Sequence, residues 1–186
     1  MRKKSKNIPD DGNIAVIPDI DYLKNVTVKF KKLADFAVIP SYAHDGDVGM
    51  DMTALWVEYD VEKDLYIYHT GLACETDKGY GIFLYVRSSN CKTDAYLTNH
   101  VGICDSAIYR GEIQFRYKNR DRYRKSLWER ITGKVNKKRA MRFAPYEEGD
   151  RIGQMVVLPY PQVTIQEVDE LSDTERGTGG FGSTGK

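Results

Sequence analysis

Short stretches of strand period, never a sustained helical one, bound what this chain can fold into. Residues 26–33 set Val26, Val28 and Phe30 against Thr27, Lys29 and Lys31, and 112–117 alternates polar with apolar in the same way. Residues 65–73 and 81–86 are apolar runs rich in aromatic and β-branched side chains, with Lys78-Gly79-Tyr80-Gly81 as a turn between them. The run 101–104 is short, β-prone and flanked by glycine, and with 112–117 it reads as a β-hairpin; Gly149-Asp150 is a turn that feeds a further strand. An all-β domain follows, with residues 89–96 as its one short helix. At 186 residues and 41% hydrophobic content the chain can bury one compact core. That domain is expected over 26–186, behind an extension, 1–25, that mixes charge, Pro and Gly without period and receives no chemistry.

Three cysteines and three histidines are too scattered for a metal cage or a disulfide framework, so no protein-held metal is expected. No apolar stretch approaches the roughly 20 residues that span a bilayer, and the basic start Met1-Arg2-Lys3-Lys4 is not followed by a signal-peptide core, so a cytoplasmic location is expected. The net charge of +1 is unevenly spread. Residues 116–142 hold 12 Lys/Arg against Asp121 and Glu129, leaving 16 basic and 25 acidic residues elsewhere, about −9.

Several positions carry chemistry or the appearance of it. Asp105 ends the 101–104 strand at a turn, where a carboxylate either hydrogen-bonds its own turn or works on a ligand. Asp51 enters a strand between Met50 and Met52, as a solvated residue or as the partner of a buried cation. Arg87-Ser88-Ser89-Asn90 leaves an apolar strand with a guanidinium fork and two hydroxyls, suited to anionic oxygens or to a helix start. Gln154 sits in an apolar strand just after Gly153, as a structural or a ligand-binding amide. The end of the chain, Arg176-Gly177-Thr178-Gly179-Gly180-Phe181-Gly182-Ser183-Thr184-Gly185-Lys186, has five glycines in eleven residues and one aromatic. Glycine lets backbone N–H groups approach phosphate, and Phe181 has no local core to enter, so it is a leftover or a lid that stacks on a flat ring. With no helix after it, this is not a P-loop.

These stretches, in order, resemble the five motifs of the trimeric dUTP diphosphatases, from about Val26 to Lys186. The first is similar to Asp47-Val48-Gly49-Met50-Asp51-Met52-Thr53-Ala54, the second to Arg87-Ser88-Ser89. The third is similar to Gly102-Ile103-Cys104-Asp105-Ser106 with Tyr109-Arg110-Gly111, the fourth to Gly149-Asp150-Arg151-Ile152-Gly153-Gln154, and the fifth to the glycine-rich tail. The resemblance implies a jelly-roll-like β-barrel subunit, a homotrimer with shared active sites, and an arm, 172–186, lent to another subunit. It implies hydrolysis of dUTP to dUMP and pyrophosphate, with Asp105 as the general base that activates a water for attack on the α-phosphorus. Arg87, Ser88 and Ser89 would bind phosphates, and Gln154 phosphate or nearby nucleotide. Asn99 and backbone groups at Gly102 would read uracil, and Tyr109 would pack on the deoxyribose. Phe181 would stack on uracil, Arg176, Ser183 and Thr184 would hold the terminal phosphates, and Asp51 would pair with an arginine such as Arg151. Mg²⁺ would be held by phosphates and water rather than by protein ligands.

Two departures stand out. Three residues, Ser106-Ala107-Ile108, separate Asp105 from Tyr109 where the family has two, so either Tyr109 or Ile108 walls the sugar. The link between third and fourth motifs is replaced by the basic insertion 116–142, expected as a solvated excursion with a helical turn at 126–131; its charge suits nucleic acid or an acidic protein partner. Some phage members resemble this chain in carrying an insertion at the same place. Two other readings remain open: a related dCTP deaminase, although Arg116 stands where those enzymes place a catalytic Glu, and a regulatory or binding protein acting through the insertion.

Overall fold

In the computed structural model, residues 26–105, 108–119 and 126–179 are described. The strands are β1 (Val28–Lys32), β2 (Met50–Thr53), β3 (Trp56–Asp60), β4 (Leu65–His69), β5 (Leu72–Thr76), β6 (Tyr80–Tyr85), β7 (Ala95–Leu97), β8 (Gly102–Cys104), β9 (Gln114–Asn119) and β10 (Arg151–Pro159). They form two four-stranded sheets, β2-β10-β6-β8 and β3-β4-β9-β7, and a two-stranded ribbon β1-β5. All strand pairs are antiparallel, and the all-β, jelly-roll-like expectation holds.

The core lies between the sheets, where Met52, Ile82, Ile152 and Met155 of one meet Tyr68, Phe115 and Tyr117 of the other, all wholly buried. Each large side chain removed from water contributes about 1.5–3 kcal/mol. Buried phenols need partners, and these have them: Tyr68 donates to the carbonyl of Tyr146 at 2.9 Å, Tyr117 to that of Ile152 at 2.6 Å, and Tyr146 to Asn90 Oδ1 at 2.7 Å. The three rings meet edge to face, with centroids 5.3–5.9 Å apart. Cys74 and Cys104 also meet inside; the hydrogen bond to Cys104 and burial push the Cys74 thiol up.

Three expectations are corrected. The segments 101–104 and 112–117 do not form a hairpin: β8 pairs with β6, while β9 pairs with β4 and β7 in the other sheet. Period-2 alternation identifies a strand but is silent about its neighbour, and burying Phe115 and Tyr117 against β4 outweighs pairing with the three-residue β8. Residues 65–73 are two strands, broken at Thr70-Gly71 as the chain passes from the second sheet to the ribbon. Strands β3 and β7 carry no clear signal, the first being an edge with mixed exposure and the second only three residues long.

The third correction concerns helix content and the insertion. Instead of one short helix there is a 3-10 turn at Ser88–Lys92 and two helices in the basic segment, α1 (Leu127–Thr132) and α2 (Lys137–Met141). Helix α1 falls where a helical turn was expected, with Ser126 as its N-cap in a capping box: Glu129 N–H donates to Ser126 Oγ and Ser126 N–H donates to Glu129 Oε2. Glu129 is buried and also accepts from Asn136 N–H at 2.8 Å and Arg139 at 3.4 Å, so one carboxylate ties both helices together. Ala140 is buried and its carbonyl accepts from Tyr66 at 2.8 Å. The insertion is thus packed on the domain through α2, while Leu127, Trp128 and Ile131 face solvent.

Candidate active site

Antiparallel register brings the first, second and fourth motifs to one place. Asp51 on β2 lies opposite Gln154 on β10, Gln154 lies opposite Tyr85 on β6, and Arg87 follows β6 by two residues. Asp51, only 12% exposed, becomes the hub: Arg87 donates from Nε to Oδ1 at 2.8 Å, Arg151 donates to Oδ2 at 3.0 Å, and Gln154 Nε2 donates to Oδ1 at 3.4 Å. Arg87 also reaches Ser89 Oγ at 3.3 Å. One carboxylate facing two guanidinium groups leaves a net positive charge beside two serine hydroxyls, with Ser88 exposed. Such a cluster suits phosphate oxygens.

The third motif lies elsewhere. Asp105 ends β8 exposed, and its carbonyl accepts from the N–H groups of Ile108 and Tyr109 at 2.8 and 2.7 Å. Its backbone closes the turn, while among the described residues the carboxylate has no hydrogen-bond partner. Two concavities flank β8. A cleft of about 410 Å³ is lined by Asn99, Gly102, Tyr109, Glu112, Gln114 and Arg116 among others. A groove of about 260 Å³ on the other side holds Asp105, Ile108, Phe83 and Tyr160, and both share Ile103 and Cys104. Tyr109, not Ile108, therefore stands with Asn99 and Gly102.

Register also separates the motifs. Ile82 lies opposite Cys104 and Leu84 opposite Gly102, which places Asp105 opposite Gly81, six positions along β6 from Arg87. That is roughly 20 Å at strand rise, longer than a triphosphate. Arg176 is exposed on the arm that follows β10 and donates to the carbonyl of Gly179 at 2.8 Å, while Phe181, Ser183 and Thr184 lie outside the described residues.

The larger cleft has a polar floor that no sequence motif marks. Glu112 accepts at Oε1 from Gly71 N–H at 2.8 Å and at Oε2 from Gln114 at 3.1 Å, with His69 Nδ1 2.6 Å from Oε2. Burial raises the Glu112 carboxyl, but the hydrogen bonds from His69, Gln114 and Gly71 outweigh it and hold the group below its usual range. His69 came from an apolar run and Glu112 from an alternating one, so neither bore a mark of its role.

The family model described as dUTPase matches residues 139–185. The deoxyuridine 5'-triphosphate nucleotidohydrolase of Alkaliphilus metalliredigens is 35% identical over 159 residues, covering 85% of this chain and 96% of that protein. Among solved structures, a dUTPase of Staphylococcus bacteriophage 80alpha with dUpNHpp shares the fold at a TM-score of 0.63 and 24% identity, over 86% of this chain and 99% of that one. A dUTPase variant from phage phi11 of S. aureus, described with a structural Mg(II) ion, gives a TM-score of 0.56 at 23% identity, over 77% and 97% of the two chains. These relatives define a nucleotide hydrolase. The chain belongs to the dUTPase family.

Proposed function

We propose that this protein hydrolyses dUTP to dUMP and pyrophosphate. Asp105 takes a proton from a water whose oxygen bonds to the α-phosphorus, and the bond from that phosphorus to the bridging oxygen breaks to release pyrophosphate. The observation that carries this reading is the exposed carboxylate of Asp105 at the end of β8, in a groove that shares Ile103 and Cys104 with the cleft lined by Asn99, Gly102 and Tyr109. Asn99 and the backbone at Gly102 read the uracil edge, Tyr109 packs on the deoxyribose, and Arg87, Ser88, Ser89 and Gln154 take the phosphates.

The distance of the Arg87 cluster from Asp105 within one chain supports a site shared between copies, as in a homotrimer. One copy brings Asp105 and the cleft, another the Arg87 cluster, and a tail carrying Arg176, Phe181, Ser183 and Thr184 closes over the nucleotide. Mg²⁺, bound by triphosphate oxygens and water, would neutralise charge building on the phosphates. Guanidinium and hydroxyl groups suit those oxygens rather than a cation, and among the described residues no three His, Cys, Asp or Glu gather as a metal cage. No helix among the described residues is long and apolar enough to cross a membrane; we place the enzyme in the cytoplasm.

The test is nucleotide turnover with Mg²⁺, with dTTP, dCTP and UTP as controls. Pyrophosphate from dUTP alone supports the reading, while ammonia from dCTP replaces it with deamination. Arg116, which lines the cleft and donates to Gln114 Oε1 at 3.1 Å, is a poor substitute for a deaminase carboxylate.

A further inference from the structure

The turn that delivers Tyr109 is longer than the family pattern, yet its ring is held. The Tyr109 hydroxyl donates to the Glu112 carbonyl at 3.2 Å, and the ring lies so close over Gly111 that a Cβ there would collide with it. Position 111 is therefore restricted to glycine while the ring stays in place. What holds the Glu112 carbonyl is in turn its own side chain. The carboxylate is pinned from three directions, by Gly71 N–H, Gln114 and His69, and the next residue is locked as well: Thr70 Oγ1 donates to the Ile113 carbonyl at 2.7 Å and Ile113 N–H to Leu72 O at 2.8 Å.

His69 is the inner post of this frame. Its side chain is 9% exposed and lies flat on Trp56, with ring centroids 3.5 Å apart and planes 7° from parallel. Among the described residues Nε2 is buried without a hydrogen bond, with Glu58 Oε1 at 3.6 Å, and the ring's polar engagement is at Nδ1, which lies 2.6 Å from Glu112 Oε2 and 3.2 Å from Gln114 Nε2. Stacking on Trp56 and the short contact with Glu112 fix the ring's plane and its Nδ1 direction. Freed of Glu112, His69 would keep at Nδ1 only the longer contact to Gln114 Nε2 at 3.2 Å, a poorer state for a buried ring.

We propose that Glu112 is a positioning residue for substrate selection: clamped to His69, Gln114 and Gly71, it holds the carbonyl that tethers Tyr109, and so sets how closely that ring shuts the cleft against a 2′-hydroxyl. The proposal rests on the cleft being the nucleoside site of a dUTP hydrolase. A ring that can swing by an ångström would admit the extra oxygen, so the consequence is in discrimination between dUTP and UTP more than in turnover of dUTP.

The experiment compares kcat/KM for dUTP and UTP in the full-length protein with Mg²⁺, for wild type, Glu112→Ala, Glu112→Gln and Tyr109→Phe. Loss of folded enzyme scales both substrates equally and cancels in the ratio. The expected result is a dUTP:UTP ratio reduced about tenfold in Glu112→Ala and about threefold in Tyr109→Phe, with Glu112→Gln nearer wild type because its amide oxygen still accepts from Gly71 N–H. A wild-type ratio in folded Glu112→Ala overturns the proposal. If that variant does not fold, Tyr109→Phe decides alone, an unchanged ratio overturning the tether. Wild-type protein that turns over no dUTP would instead remove the functional reading beneath it.

Discussion

Arg87 donates from Nε to Asp51 Oδ1 at 2.8 Å, joining residues 36 positions apart in the chain and placing a guanidinium at the end of β6 before any ligand arrives. Both side chains are largely covered, at 12% exposure for Asp51 and 23% for Arg87, and Arg151 completes the arrangement from β10. Removing the carboxylate leaves two like charges facing each other. Asp51→Ala is therefore expected to lose about 2 kcal/mol of stability, read by urea unfolding, and to raise KM for dUTP more than it lowers kcat. A variant with unchanged KM would show that the Arg87 geometry does not depend on Asp51.

Asp105→Asn keeps the turn, which is closed by the backbone carbonyl and not by the side chain. Fold, oligomeric state and dUTP binding should survive, while kcat falls on the order of a hundredfold or more through loss of the base. Single-turnover kinetics beside equilibrium binding separates the two; near-normal kcat would remove Asp105 from that role.

Gly153 marks a place where strand β10 runs against a core ring. A Cβ there would overlap the ring of Phe115, which is wholly buried and has nowhere to retreat. Gly153→Ala should cost about 3 kcal/mol, visible as a lowered urea midpoint with unchanged slope. Gly79→Ala, at a site with open space around it but a positive φ, should cost less, about 1 kcal/mol.

The Glu112 carboxyl is held below its ordinary value near 4.5. A depressed carboxylate contributes stability that is present above its unfolded value and is lost as pH falls through its lower folded value. Unfolding free energy should therefore decline from about pH 4.5 downwards, and Glu112→Gln should flatten that limb. Urea titrations at stepped pH test this, parallel curves for the two proteins counting against it.

The strands β1, β2, β6 and β10 announce themselves through alternation or apolar runs, because burial on one or two faces writes itself into residue order. The charged and glycine-rich motifs stand out equally, since they draw on few residue types. Partners were not. Nothing in residues 101–117 says that β8 and β9 belong to different sheets, and nothing in 116–142 says that Ala140 enters the core while Trp128 stays out. Those outcomes depend on which distant surfaces compete for the same apolar face.

Local order was thus enough for an all-β domain, and the resemblance of five motifs for a family. Their relations came from packing: Asp51 serves Arg87 and Arg151 together, Tyr109 rather than Ile108 shares the cleft with Asn99, and His69 stands behind Glu112. The physical reason is range. Side-chain period and turn chemistry act over a few residues, whereas register and a buried hydrogen bond are settled between strands dozens of residues apart.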